Sequence, residues 1–347
     1  MTSMETKAVS RRPMAVPLLL ALVALPLFCF NLGFPKTVNF DEFHYIPSAK
    51  QFLALTENQN YEHPPLGKEL IAVGVGLLGD QPWGWRIMSV LFGVITLLGM
   101  HRLTLAVFRS RDAAFFVGAL TLFNQLLFVQ SRIAMLDTFM MAALAWGCAL
   151  AIEGWRERSA KSLRAAGLLM GLACATKWFA LIPWMTLLAV AGWLVFRSPA
   201  GHQKQKRPSF PDLRELVISW FAFPVLAYYA TFIPFFWIQP KAGGSYGLWE
   251  ILFTMQWQMW DGQMRVVSSH PYASRWWEWP TMIRPMWYAF DREGSPTTAV
   301  RGVMMLGYVL SPRRRAWCVG DAAAAAGTRV IAGLVPAIQP TAGTGAC

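Results

Sequence analysis

The chain has 347 residues, of which 55% are hydrophobic and only 14% are charged, with a mean hydropathy of +0.37. A soluble domain carries roughly 25% charged residues, so this composition excludes an ordinary soluble protein and indicates a membrane protein. The net charge of +12 would suggest nucleic-acid binding in a soluble chain. Here the basic residues cluster in alternate short loops between apolar runs. This pattern indicates which loops are cytoplasmic and contact anionic lipid, so nucleic acid is not an expected partner.

Six apolar runs of about 18 to 22 residues, each long enough to cross a bilayer, set the expected architecture. The first, Met14 to Gly33, follows a basic N-terminus and has no prominent cleavage site, so it is predicted to be a retained span with a cytoplasmic N-terminus. The later runs are Arg86 to Val107, Ala113 to Gln130, Ile133 to Ile152, Ala165 to Phe196 and Leu216 to Ile238. The run from Ala165 is too long for one span and is broken by Lys177 and Pro183, so two linked spans are predicted.

The fold class predicted from these runs is an all-α membrane protein, a multi-span helical bundle with outer-side loops that carry the site. The alternation of basic loops puts two long segments on the outer side, residues 34–85 and 239–298. Ile71 to Leu78 is apolar but too short to span, so it is predicted to be re-entrant or interfacial. A further span is predicted to begin at Ala299, and residues 311–347, rich in Arg, Ala and Gly, are expected to form a poorly ordered tail.

The five cysteines do not indicate a metal or disulfide site. They have no CxxC spacing, and three of them lie inside apolar runs. No other residues have the spacing of protein ligands for a metal, so the sequence leaves any need for a divalent metal open.

The first outer loop contains Asn39-Phe40-Asp41-Glu42-Phe43-His44-Tyr45, an acidic pair at the membrane face. Carboxylates are costly to hold charged beside hydrocarbon, so the pair suggests a function. Asn39 and Glu42 have capping-box spacing, which would make Glu42 structural and place Asp41, His44 and Tyr45 on one helix face. Alternatively Asp41 is a catalytic base that takes a proton from a hydroxyl beside a sugar carbon that becomes positive. The local pattern leaves both interpretations open.

The same loop continues with His63-Pro64-Pro65-Leu66-Gly67-Lys68, which cannot be helical across its prolines. One interpretation is a turn at the membrane surface. The other is a rigid wall that presents His63 and Lys68 to a phosphate or to a substrate backbone.

Four further charged residues are expected near the level of the first loop. Arg86 begins the second span and Lys177 lies near the outer end of another, where each either snorkels or binds a lipid phosphate. Arg132 and Asp137 either pair with each other or contact the first loop. The aromatic segment His270 to Pro280 is predicted to be an interfacial belt, with stacking on a sugar or peptide as the alternative.

In combination, these motifs resemble the dolichyl-phosphate-mannose protein mannosyltransferase family. The motifs are Phe40-Asp41-Glu42-x-His44, His63 to Lys68, Trp85-Arg86, Ser131 to Asp137, Thr176-Lys177-Trp178 and His270 to Pro280. The resemblance covers residues 14–307 and implies a multi-span GT-C glycosyltransferase of bacterial type, without the MIR module. After Leu306-Gly307 the family continues with Asn-Pro, whereas this chain has Tyr308-Val309.

The resemblance also implies domain boundaries and a reaction. A cytoplasmic N-terminus (1–13) precedes a catalytic membrane domain (14–245), an outer loop with the start of a C-terminal membrane domain (246–310), and the tail (311–347). The implied reaction moves mannose from a polyprenyl-phosphate carrier to Ser or Thr hydroxyls of exported polypeptide, with inversion. The lipid-linked sugar is a substrate, and no cofactor is expected. Implied partners are the donor, the secreted polypeptide, membrane lipid and the protein export machinery, in the inner membrane with the site facing the periplasm or exterior.

By the same resemblance Asp41 is the catalytic base, Glu42 its catalytic partner, and Arg86 a support for the acidic pair or the donor. The residues predicted to bind donor or acceptor are His44, His63, Lys68, Arg86, Arg132, Asp137 and Lys177.

Two alternatives remain open. A related transferase would use a lipid or cell-wall glycan as acceptor, although such relatives tend to have Lys-Pro-Pro where this chain has His63-Pro64-Pro65. A transporter or membrane scaffold would place its charges deep within the spans, whereas most charges here lie at outer ends.

Overall fold

The computed structural model describes residues 15–58, 60–197, 211–240, 243–265, 277, 287–291 and 301–304. Residues 1–13, the tail 311–347 and, apart from Trp277, the aromatic segment 270–280 lie outside this set, so what was expected of them stays a prediction. The chain divides into two compact units, residues 1–266 and 267–347.

The first unit is helical, as predicted. Its helices are α1 (Ala15–Cys29), α2 (Glu42–Leu53), α3 (Leu66–Leu78), α4 (Pro82–Phe108), α5 (Arg111–Leu122), α6 (Gln125–Gln130), α7 (Leu136–Glu157), α8 (Ala160–Thr176), α9 (Leu181–Arg197), α10 (Leu213–Val217), α11 (Phe223–Ala230) and α12 (Met255–Met264). Short 3-10 turns (Trp178–Ala180, Ile233–Phe236) and π-helical turns (Ile218–Ala222, Glu250–Thr254) join several of them.

In the second unit, β1 (Trp287–Asp291) pairs with β2 (Arg301–Met304) in an antiparallel hairpin. Residues 301–304 are therefore a strand, and the prediction of a helical span beginning at Ala299 is wrong for these four residues.

Two of the described helices, α4 with 27 residues and α7 with 22, are long and apolar enough to cross a bilayer. The helix α1 and the apolar segment Trp178–Trp193 are shorter. The predicted span from Ala113 to Gln130 is divided into α5 and α6, because the Asn124 side chain accepts the Leu127 N–H and starts a new helix. The 13 residues of α3 extend about 20 Å, less than the bilayer core, as expected for Ile71 to Leu78.

The long apolar run from Ala165 is interrupted at Lys177. Lys177 has an extended backbone (φ −158°, ψ 127°) and separates α8 from the 3-10 turn that leads into α9. Pro183, the other predicted break, lies in the first turn of α9, where a missing N–H costs no helical hydrogen bond. Only one of the two predicted breaks therefore exists.

Basic turns mark one end of the bundle. Arg109 and Arg158 have left-handed backbones (φ 54° and 56°) and terminate α4 and α7. Ser110 and Ser159 then cap α5 and α8 by accepting backbone N–H groups, so each pair of helices forms a tight antiparallel hairpin. Since α4 and α7 begin at the other end, the first loop, the starts of these helices and the end of α8 lie away from the basic turns.

Close packing holds α8 against the chain segment that contains α11. A Cβ atom on Gly167 would lie 1.8 Å from the Ser219 carbonyl oxygen, and one on Gly171 would lie 2.2 Å from the Pro224 carbonyl oxygen. Only glycine permits this approach, which places α11 directly beside the helix that ends at Lys177.

Candidate active site

A fully buried ion pair between Arg86 and Glu42 organises the first loop. The Nε and one terminal nitrogen of Arg86 donate to the two Glu42 oxygens, at 2.8 and 2.9 Å. The remaining guanidinium hydrogens reach the carbonyl oxygens of Leu32, Pro35 and Thr37, at 3.1, 2.9 and 3.1 Å. All five donors of Arg86 are used, so this arginine neither snorkels nor faces a ligand.

Glu42 is equally saturated. Besides the two bonds from Arg86, its carboxylate accepts the backbone N–H groups of Asn39 and Ala134, both at 2.9 Å. Only one half of the expected capping box forms, because the Asn39 side chain donates to the Thr37 carbonyl instead. Glu42 has no lone pair left to take a proton. Its contacts therefore make it a positioning residue beside the catalytic candidate, where the prediction had given it a catalytic part.

Asp41 lies immediately before α2 and is half-buried. Its Oδ2 accepts the Tyr45 hydroxyl at 3.3 Å, and its Oδ1 accepts no hydrogen bond from the described residues. Burial raises the pKa of Asp41, and the neighbouring charge of Lys177 opposes that rise, while Asp137 adds to it. The result is a carboxylate of increased basicity with one free oxygen, which is what a general base requires.

A second ion pair lies close enough to Asp41 to act on its pKa. The Lys177 Nζ lies 3.0 and 3.2 Å from the two Asp137 oxygens, and about a quarter of each side chain is exposed. Asp137 comes from the first turn of α7, and Lys177 from the break after α8. Lys177 and Asp137 also change the pKa of His63. The structure therefore brings Asp41, His63, Asp137 and Lys177 close enough for their charges to interact.

The His-Pro-Pro bend is anchored from behind by Lys68. This lysine is 2% exposed and donates to the His63 carbonyl oxygen at 2.7 Å and to the Asn60 carbonyl oxygen. Burial lowers the pKa of Lys68 to about 7 and that of His63 to about 4. Lys68 therefore fixes the loop and does not face the site, whereas His63 packs its ring 6.2 Å from that of Tyr45.

Arg132 stands apart from this cluster. It donates to the Phe30 carbonyl oxygen and stacks 4.8 Å from the centre of the Phe128 ring. The proposed pairing with Asp137 does not form, since Asp137 binds Lys177.

Gln263 was not anticipated from the sequence. Its side-chain amide, on α12, donates to the Glu62 carbonyl oxygen at 2.9 Å and lies 3.5 Å from His63 Nδ1. No local motif marks this glutamine, because its partner lies 200 residues away.

Two depressions adjoin the cluster. A cleft of about 960 Å³, here named the α2 cleft, runs over the exposed face of α2 and is lined in part by Phe43, His44, Lys50, Glu62 and Asp80. An apolar groove of about 400 Å³ lies among α3, α4, α7 and α8, from Leu66 to Thr176. Among the described residues, no group of three or more His, Cys, Asp and Glu side chains could hold a metal ion.

The described residues therefore form a helical bundle with two helices long and apolar enough to cross a membrane, and with a half-buried carboxylate near a lysine–aspartate pair at one end. Residues 62–228 match the family described as dolichyl-phosphate-mannose-protein mannosyltransferase, and residues 248–311 match the C-terminal four-transmembrane region of protein O-mannosyltransferase. The chain belongs to this family, whose members are multi-pass membrane proteins.

Bacterial relatives match most of this chain. The chain is 31% identical over 355 residues to the polyprenol-phosphate-mannose–protein mannosyltransferase of Mycolicibacterium smegmatis, covering 83% of this chain and 66% of the relative. It is 29% identical over 338 residues to the Mycobacterium tuberculosis protein of the same name, covering 79% of this chain and 63% of the relative. The chain thus spans about two thirds of the length of these relatives.

The fold is similar to a solved structure of the Saccharomyces cerevisiae protein O-mannosyltransferase Pmt1–Pmt2 complex bound to the sugar donor. The TM-score is 0.57 at 21% sequence identity, over 67% of this chain and 35% of the yeast chain. This similarity confirms the predicted multi-span helical fold, while the placing of the site on outer-side loops stays a prediction.

Proposed function

We propose that this protein transfers mannose from a polyprenyl-phosphate carrier to Ser or Thr hydroxyls of exported polypeptide. The observation that carries the proposal is Asp41, a half-buried carboxylate with a free oxygen, held at the start of α2 next to the Asp137–Lys177 pair. The names of the bacterial relatives support the same donor and acceptor.

The reaction is a single displacement. Asp41 accepts the proton of the hydroxyl as its oxygen attacks C1 of the mannose, and the bond between C1 and the phosphate oxygen breaks. The lipid phosphate leaves with the electron pair, and the configuration at C1 inverts because attack and departure occur on opposite faces. No cofactor enters this balance, because the lipid-linked sugar supplies the activated group.

Lys177 supplies the positive charge for the leaving phosphate. Its ammonium is partly exposed, and Asp137 holds it near Asp41. A lysine shared between a carboxylate and a phosphate stabilises the negative charge that grows on the departing oxygen. His63, with its lowered pKa, would bind as a neutral hydrogen-bonding group, and His44 lines the α2 cleft.

The proposed setting is the inner membrane, with the N-terminus cytoplasmic and the site facing the periplasm or exterior. The basic turns at Arg109 and Arg158 lie at the end of the bundle away from Asp41, as expected if they are cytoplasmic. In this orientation the site meets membrane lipid that carries the donor, and polypeptide delivered by the export machinery.

The test is transfer of radiolabel from polyprenyl-phosphate-mannose in membranes containing the chain. Label in protein, released as mannose by cleavage of the O-glycosidic bond, is expected, and its loss in Asp41→Asn but not in Asp112→Asn assigns the base. Asp112 is an exposed carboxylate at the basic end and is the matched control. Label in lipid or glycan alone would refute the polypeptide acceptor.

A further inference from the structure

The α2 cleft leads away from Asp41 on the side of His44. Asp41 stands at the N-terminus of α2, His44 lies one turn later, and the cleft continues along the exposed helix face to Ala54 and Thr56. A polypeptide bound along α2 would therefore run outward from Asp41. The Asp137–Lys177 pair is not among the residues that line this cleft.

The cleft offers groups that suit a polypeptide main chain. Pro47, inside α2, has no N–H, so the carbonyl of Phe43 lacks its usual helical donor. Phe43 lines the cleft, with its ring exposed. At the far end Thr56 makes a single parallel β-bridge with Gln239, so extended backbone already borders the cleft there. Backbone acceptors and extended edges are how proteins bind peptides in extended conformation.

The charges of the cleft disfavour a phosphate. Lys50, its lining lysine, is already paired with Asp80 at 2.5 Å, and the Trp85 Nε1 donates to the same carboxylate. Among the described residues Glu62 accepts the Asn60 side-chain amide at 2.7 Å and forms no salt bridge, although it lies close enough to the buried Lys68 to act on the pKa of that lysine. An occupant with a positive side chain is therefore attracted, and a lipid phosphate is repelled.

We propose that the α2 cleft binds the acceptor polypeptide in an extended conformation and prefers a Lys or Arg that reaches Glu62. This inference rests on the proposed function for the identity of the acceptor. It adds the location of the acceptor site and a sequence preference that the catalytic cluster alone does not provide.

The first experiment locates the peptide without requiring catalysis. A short Ser/Thr peptide carrying a lysine and a benzophenone is irradiated with donor-free membranes that contain the full chain, and the crosslinked residues are mapped by mass spectrometry. Crosslinks within residues 43–56, lost on addition of unlabelled peptide, are expected. Crosslinks confined to the apolar groove near Leu66, or none that unlabelled peptide removes, would overturn the proposal.

The second experiment tests the charge. The Kd of the lysine peptide and of a matched glutamate peptide are compared for wild type, Glu62→Gln and the exposed control Glu157→Gln. The wild type and the control are expected to prefer lysine about tenfold, and Glu62→Gln to lose most of that ratio. Glu62→Gln keeps the side-chain shape and an acceptor for Asn60, and unchanged binding of donor shows that it folds. An unchanged ratio in Glu62→Gln would refute the role of Glu62.

The two proposals fail differently. Peptide bound in the α2 cleft without mannose transfer in any assay would leave this inference intact and refute the proposed function. Mannose transfer to peptide without crosslinks at α2 would support the function and refute the cleft.

Discussion

Replacing Arg86 by methionine tests whether the buried ion pair holds the first loop in place. The substitution removes five hydrogen bonds, two to Glu42 and three to the carbonyl oxygens of Leu32, Pro35 and Thr37. Methionine fills much of the space but donates nothing. Glu42 then has no exposed surface and no cationic partner, and it keeps only the N–H groups of Asn39 and Ala134.

The expected loss of stability is large. Breaking one partner of a buried ion pair costs about 3–5 kcal/mol, because the other charge stays desolvated. A total unfolding free energy of roughly 5–15 kcal/mol means that this one change removes a large share of it. The partly exposed pair Arg102–Glu153 provides the control, and Arg102→Met is expected to cost about 0–1 kcal/mol.

The assay is denaturant unfolding in detergent micelles, followed by tryptophan fluorescence. Glu42→Gln combined with Arg86→Met should be more stable than Arg86→Met alone, since the stranded charge is gone while an amide oxygen still accepts a backbone N–H. If Arg86→Met costs no more than Arg102→Met, or if the double variant is no more stable than Arg86→Met, the ion pair does not organise the loop.

Three further predictions concern the site and its orientation. Asp41→Asn should lower mannose transfer by about 10²- to 10⁴-fold without lowering the stability of the fold. The pKa of Asp41 is raised in the folded state, so the charged carboxylate costs stability above that pKa and its replacement removes the cost. A variant that unfolds more easily than wild type would contradict this. The kcat/KM for transfer should fall as the pH drops through the Asp41 pKa. Lys177→Met should move this fall to higher pH, because Lys177 lowers the pKa of Asp41 while Asp137 raises it. An unchanged pH profile in Lys177→Met would show that Lys177 does not act on the base. In a cysteine-free background, Lys50→Cys should react with an impermeant thiol reagent added from outside, and Glu157→Cys should react only after permeabilisation. The reverse pattern would show that the proposed topology is inverted.

Ser48, on the same helix as Lys50, would be a poor position for labelling because the structure buries it. Its side chain is 1% exposed and donates to the Asn58 side chain. Lys50, two residues later, is exposed and is the suitable position on the same helix. A sequence alone cannot rank these neighbours, since both are polar.

Local sequence determined the class of the protein and the position of its catalytic candidate. Composition and apolar runs indicate a membrane bundle, because crossing a bilayer requires long apolar helices whatever their neighbours. The spacing of Asp41 and Tyr45 predicted their shared helix face, and the observed hydrogen bond joins residues only four positions apart. The prolines after His63 likewise keep that bend non-helical through their own covalent geometry, and α3 begins only at Leu66.

Tertiary structure alone decided what each charged residue does. Glu42 and Asp41 are neighbours in sequence, yet only Glu42 meets Arg86, 44 residues away, and the Ala134 N–H, 92 residues away. Those partners use all the hydrogen-bond acceptor sites of Glu42, whereas Asp41 keeps one carboxylate oxygen that can accept a proton. The sequence likewise left open whether Lys68 binds substrate or supports the loop, and the structure buries it against the His63 carbonyl oxygen. Asp137 pairs with Lys177, not with Arg132, which is closer in sequence. A side chain's role depends on which donors and acceptors helix packing brings within about 3 Å, and that depends on the whole bundle.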